Sequence, residues 1–183
     1  MSRIAIFIDG AYLSSILKNE FNSAQVAYEK LSSELSNGIE VLRTYYYNCL
    51  PYQSASPTVK ERERFSKAQS FIYALSSLPR YQVRLGKLAF RGIDQEGKPI
   101  FQQKQVDILL GVDLVLLSAT RQISNAALLM GDSDFFPAVK VAKEQGILTT
   151  LWHSTKYPPH IELWQECDER KVIDKSLIDR ILR

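Results

Sequence analysis

"AALLMGDSDFFPAVKVAKEQG", residues 126–146, runs an apolar stretch into two aspartates one residue apart and then into a helix-like segment that ends at Gly146. A short apolar run bounded by a turn signal suits a strand buried on both faces, as in a parallel sheet covered by helices. Asp134 stands where an N-cap is wanted, with Pro137 in the first turn behind it, a role that contributes about 1 kcal/mol. A turn and a cap need only one carboxylate, so Asp132 calls for a different explanation. A buried strand that ends in carboxylates and enters a helix is the unit of an α/β layer fold. In such folds functional groups gather beyond the carboxyl ends of the strands.

The same unit appears at the start of the chain. "RIAIFI", residues 3–8, ends at Asp9-Gly10, and "AYLSSILKNEF" follows with Leu13, Ile16, Leu17 and Phe21 at helical spacing. A second helix is predicted over 25–36, closing at Asn37-Gly38, and a strand over 39–50, where Tyr45, Tyr46 and Tyr47 fit strand propensity better than a base-stacking platform. Residues 51–59 have loop composition. The segment 60–78 reads as an amphipathic helix with Phe65, Ala68, Phe71, Ile72 and Leu75 inward. "RYQVRLGKLAFRG" and "KPIFQQKQ" flank a turn at 94–97, giving a basic hairpin insertion over 79–104. "VDILLGVDLVLLSA", 106–119, reads as a buried helix, "ILTTLWH" as a further strand, and the segment from about 158 as a helical extension ending near "DKSLIDRIL". The chain is therefore expected to form one domain over 1–183, with a core at 3–153, an extension at 158–183 and a mostly parallel sheet.

Composition narrows the function classes. The 183 residues are 45% hydrophobic with a formal charge of +3, enough for one buried core. The longest apolar candidate, 106–119, is broken by Asp107 and Asp113 and is too short to span a bilayer. The apolar residues before Asp9 are too few for a secretion signal. Cys49 and Cys167 lack any CxxC or histidine companion and read as ordinary thiols of a reducing cytoplasm. His153 and His160 have no ligand-spaced partner and read as structural or surface residues, and Trp152 and Trp164 as core anchors. A soluble cytoplasmic domain is the expectation.

Asp9 and Asp132 each close a strand at its carboxyl end. Neighbouring strands lie about 5 Å apart, so adjacency would bring these carboxylates together, and Asp107 begins a helix that can point its first turn at the same place. Clustered carboxylates repel one another unless a cation sits among them. With no His or Cys cluster, the natural occupant is Mg²⁺ or Mn²⁺. Taken singly, Asp9 also fits an Asx turn before Gly10. Asp113 lies six positions beyond Asp107, about 120° around the helix, and suits an outer position or an ion pair with Lys or Arg. Against this acidic set, residues 60–104 carry ten Lys/Arg and four Asp/Glu, a net of +6 that leaves −3 for the remainder. Arg84, Lys87, Arg91 and Lys104 are the candidate phosphate-steering cations, a solvated surface being the plainer reading of the same charges.

Three blocks, "IFIDGAYL", "QKQVDILLGVDLVLLSA" and "ALLMGDSDFFPAV…AKEQG", resemble in order those of the NYN domain, the PIN-like nuclease group that includes LabA-like proteins. The resemblance covers most of residues 3–153. It implies a Rossmann-like three-layer sandwich (PIN-like) and a Mg²⁺- or Mn²⁺-dependent endoribonuclease. Asp9, Asp107, Asp132 and Asp134 would form the catalytic and metal-binding set, with Asp113 a fifth acidic position. Beside that set, the charge distribution makes Lys104, Arg84, Lys87 and Arg91, with Ser133, the candidate RNA contacts. The family usually places Asn three residues after its first Asp, where this chain has Tyr12. The rival readings are a catalytically weak or inactive RNA-binding adaptor on the same fold and, less well matched, a Toprim-like or haloacid-dehalogenase-type phosphoryl-transfer domain. The expected partner is RNA, with no membrane; homodimerisation stays open.

Overall fold

The computed structural model describes residues 2–97 and 99–183; Lys98, one of the ten cations counted above, lies outside the described residues, as does the side chain of Gln103. Seven strands form one sheet in the order β4-β3-β2-β1-β5-β6-β7. Strands β1 (Arg3–Asp9), β2 (Glu40–Cys49), β5 (Asn125–Leu129), β6 (Leu148–His153) and β7 (Glu169–Val172) run parallel. The central strand β1 has Ile4 to Ile8 all buried, which is why its sequence is continuously apolar instead of alternating.

Helices cover both faces. Those on one face are α1 (Gly10–Glu20), α2 (Tyr28–Ser36), α3 (Val59–Ser76) and α7 (Lys175–Ile181). Leu13, Ile16, Leu31, Leu35, Leu75 and Leu177 from these helices pack with Ile4, Ile6 and Ile8 of β1. The other face is covered by α4 (Val106–Ala119), α5 (Phe136–Glu144) and α6 (Ile161–Glu166). There Leu110, Leu114, Val139 and Leu163 meet Ala5, Phe7 and Leu128. The result is the expected three-layer α/β sandwich, and among the described residues no helix is long and apolar enough to cross a membrane.

Three expectations need correction. Residues 79–104 are the edge of the sheet itself: β3 (Tyr81–Ile93) pairs in parallel with β2 from Tyr81 to Gly86, then turns antiparallel to β4 (Pro99–Lys104) from Lys87 to Ile93. The C-terminal segment is not wholly helical, because its "ERKV" adds the parallel edge strand β7. Its charged residues belong to an edge, where strands are blunted by charge. The apolar helix α4 buries only part of its circumference, leaving Ile108, Val112 and Leu116 more than half exposed. Helix α3 turns its expected face inward: Leu75 is buried, Ile72 packs against the core, the Phe71 ring lies against Tyr28 and Tyr46, and Phe65 and Ala68 are half-buried, with Tyr73 facing outward.

The chain order places a switch point at the centre of the sheet. From β1 the path moves outward to β2 and β3, then returns to β5 on the other side of β1 and moves outward again to β6 and β7. Crevices form beyond the strand ends at such a reversal. Here the two strands at the reversal are those that end in Asp9 and in Gly131-Asp132.

Candidate acidic centre

The register of β1 and β5 pairs Ile8 with Leu129, so Asp9 and the Met130-Gly131-Asp132 turn leave the sheet side by side. Asp9 caps α1 through one carboxylate oxygen, which accepts from the amides of Ala11 (2.9 Å) and Tyr12 (3.3 Å). Gly10 is needed behind it, because a Cβ there would meet the Tyr46 hydroxyl and stand 2.7 Å from the Asn48 side-chain nitrogen. On β5's side a 3₁₀ turn, Ser133–Phe135, precedes α5. Its cap is Asp132, whose side chain accepts from the Asp134 amide at 3.2 Å. The capping role expected of Asp134 thus belongs to Asp132, and Asp134 is exposed. The Ser133 hydroxyl faces Asp132 at 3.5 Å. Asp107 arrives from the opposite side. Gln105 adopts a left-handed φ of 73° that turns the chain from β4 into α4, which puts Asp107 in that helix's first turn.

Electrostatics tie these carboxylates together. Burial pushes the Asp9 carboxyl above its usual range; the Tyr12 and Ala11 amides pull it back, and the charges of Asp107 and Asp132 push it up again. Asp107 is raised by burial and then by Asp132 and Asp134. Among the described residues, no cationic side chain pulls either carboxyl back down. The four are gathered without being closed into a ready ligand set: among the described residues no three acidic, His or Cys side chains are grouped tightly enough to hold a metal. Their chemistry still suits one class of occupant, since every donor is a carboxylate oxygen of the kind hard divalent cations take.

Asp113 is elsewhere. It is 8% exposed and accepts from the Tyr47 hydroxyl at 2.9 Å and from two nitrogens of Arg84 at 3.0 and 3.2 Å. It is the ion-paired position of the alternatives considered for it, and the Arg84 guanidinium is engaged by it instead of standing free for a phosphate. Lys87, Arg91 and Lys104 are exposed, Arg91 donating to the Gln102 side chain at 2.8 Å. Trp164 is also not the expected core anchor; it is 39% exposed beneath the Arg170 guanidinium, 4.4 Å from the ring centroid.

Sequence reasoning missed one wall of the site. Asp9, Tyr12, Gly131, Asp132 and Ser133 share an open cleft with Lys156, Tyr157 and His160 of the loop after β6. Tyr12 lies flat against Gly131, where a Cβ would come within 2.7 Å of its ring, and its hydroxyl donates to the Tyr157 carbonyl at 2.7 Å. The departure from the family pattern marked Tyr12 in the sequence, but nothing there pointed to the loop it contacts.

Residues 3–174 match the NYN domain family. The chain belongs to that family. The family is generally one of nucleases, and the NYN fold seen here is nuclease-like. The chain is 31% identical over 111 residues to Uncharacterized protein y4oD of Sinorhizobium fredii (strain NBRC 101917 / NGR234), a match covering 60% of this chain and 48% of that protein. It thus spans about half the length of the curated relative it matches. A crystal structure of a protein of unknown function, VPA0982 from Vibrio parahaemolyticus RIMD 2210633, superposes with a TM-score of 0.65 at 17% identity. It covers 100% of this chain and 96% of that one. At that identity the likeness shows the shared fold alone.

Proposed function

We propose that this NYN domain is a divalent-metal-dependent endoribonuclease whose centre is Asp9, Asp107, Asp132 and Asp134. The observation that carries the reading is the gathering of four carboxylates at the sheet's switch point, two of them pushed toward protonation by burial and by neighbouring carboxylates. A protein that needed these residues only for turns and caps would gain nothing from holding them together. Mg²⁺ or Mn²⁺ bound there would supply positive charge to a phosphoryl group and acidify an attacking water. Asp9 and Asp132 are rigid supports for such an ion, because each fixes one oxygen by capping a helix and keeps the other available. Asp107 faces them from α4 and completes the negative field, and Asp134 extends it toward the mouth. Lys87, Arg91 and Lys104, on the hairpin that leads into Asp107, give the phosphate backbone a cationic approach, and Ser133 offers a hydroxyl at the cleft wall.

The reading is tested with purified protein and end-labelled single-stranded RNA beside matched DNA, in Mn²⁺, in Mg²⁺ and in EDTA. RNA cleavage that requires metal and disappears in Asp132→Asn is the expected result. Undiminished cleavage by Asp132→Asn removes that residue from the centre. A second reading, an RNA-binding adaptor without turnover, draws on the open spacing of the carboxylates. It predicts salt-sensitive RNA binding in every condition and cleavage in none.

A further inference from the structure

The loop 154–160 is fastened at three places to helix α1 and to the turn after β5, which flank the acidic centre. The Tyr12 hydroxyl donates to the Tyr157 carbonyl at 2.7 Å and accepts from the Ser154 amide at 3.2 Å. The His160 amide donates to the Gly131 carbonyl at 2.9 Å. Ser154, fully buried, donates its hydroxyl to Glu20 of α1 and accepts from the amides of Lys156 (3.0 Å) and Tyr157 (2.9 Å). A surface loop normally moves and varies; this one is locked in place by bonds that span more than 130 residues of sequence. What it presents is chemically coherent. Lys156 is exposed and in no ion pair among the described residues, Tyr157 is 42% exposed, and His160 is exposed at the same cleft. Opposite them stand Asp9 and Asp132.

We infer that Tyr12 is a positioning residue: it straps the 154–160 loop across the cleft so that Lys156 holds the phosphate backbone of single-stranded RNA beside the carboxylates. The inference rests on the RNA-directed reading of the site, not on hydrolysis. A carboxylate centre repels the polyanion it is to act on, and a cation carried on a fastened backbone across the cleft offsets that repulsion without neutralising the centre itself. Tyr12 therefore does for this chain something an Asn at that position is too short to do. It reaches past Gly131 to the next loop, and its ring fills the space that glycine leaves.

The test measures binding of a fluorescein-labelled single-stranded RNA oligonucleotide by anisotropy in EDTA over a salt series, and cleavage of the same RNA in Mn²⁺. Lys156→Ala is expected to lower the slope of log K against log salt by about 0.7, one phosphate contact on a single strand. Tyr12→Phe keeps the ring against Gly131 and removes both hydroxyl bonds. It is expected to weaken RNA binding and raise KM by about tenfold, in line with one or two lost hydrogen bonds, while kcat and the Mn²⁺-induced rise in Tm are nearly held. An unchanged slope in Lys156→Ala overturns the inference, even where Tyr12→Phe unfolds. So does an unchanged affinity in a folded Tyr12→Phe. Wild-type protein that binds RNA with these variant effects and never cleaves it sinks the nuclease reading and leaves the strap standing.

Discussion

Helix α4 carries two aspartates six residues apart, and their surroundings could hardly differ more. Asp113 has a bidentate arginine and a tyrosine hydroxyl, each on a strand beneath it. Asp107 has no such partner among the described residues, and its burial, together with the charges of Asp132 and Asp134, holds it toward the protonated form. Both stand out in the sequence as charges in an otherwise apolar helix. The difference lies in what the rest of the fold has placed opposite. A partnered buried acid maintains the structure, whereas an acid gathered with its own kind raises the free energy of the empty fold and lowers it again when a cation arrives.

The largest effect expected from this contrast is on activity. Asp107→Asn should lower metal-dependent RNA cleavage by about 100-fold or more, the range seen when one preorganised charge is removed from a reacting centre. It should also raise Tm in EDTA, because it relieves repulsion. Asp113→Asn should do the reverse, leaving cleavage per folded molecule near wild type and lowering stability. Removing one partner of a buried pair commonly costs about 3–5 kcal/mol; with the Arg84 side chain 35% exposed, roughly 2 kcal/mol is expected by urea denaturation. Equal losses of activity in the two variants would erase the distinction.

A smaller effect is on the pH dependence of stability. The carboxyls of Asp9 and Asp107 are raised on folding, so the native state holds their protons more tightly than the unfolded chain does. Their favourable contribution is present below the unfolded carboxylate range and is lost as pH rises through the raised native values. In EDTA this contribution to the stability curve should fall across that interval, and the fall should shrink in Asp107→Asn. Saturating Mn²⁺ at neutral pH should restore stability by mass action, about 2.7 kcal/mol at a hundredfold excess over Kd. A Tm that ignores both pH and Mn²⁺ would mean that the carboxylates are too far apart to act together.

How much of this was legible in the sequence follows from the range of the interactions. Strands β1 and β5 and the carboxylates that end them are local patterns, an apolar run and a turn, and they read correctly. The sheet's outer strand β7 did not: "ERKV" has no apolar run, and only pairing with β6 makes it a strand. The exposed stripe of α4 was invisible for the opposite reason, since an all-round apolar helix gives no sign of which side the sheet will take. The assignment of Asp113 to Arg84 and the fastening of Tyr12 to the 154–160 loop depend on contacts across 29 and 145 positions. Composition and spacing carry no record of such pairs. The Tyr12 position was conspicuous only against the family pattern, and its partner stayed hidden until the fold brought the two together.

The smallest predicted effect carries the same contrast over to the cations. Arg84 is the paired one, and Arg84→Lys should cost stability alone, about 1 kcal/mol, because an ammonium loses the planar fork that spans both oxygens of Asp113. Lys87 and Lys104 are the unpaired ones. They lie directly opposite each other where β3 and β4 begin to pair, both exposed, and among the described residues neither is in an ion pair. Like charges facing each other across a ladder are unfavourable, so Lys87→Ala or Lys104→Ala should leave stability unchanged or raise it by a few tenths of a kcal/mol. Each should also lower the salt slope of RNA binding by about 0.7, which Arg84→Lys should leave alone. A slope that responds to Arg84 and not to the two lysines would mean that RNA approaches over α4 and not along the hairpin. The uncompensated acids and the uncompensated bases would then belong to two separate surfaces instead of facing one substrate.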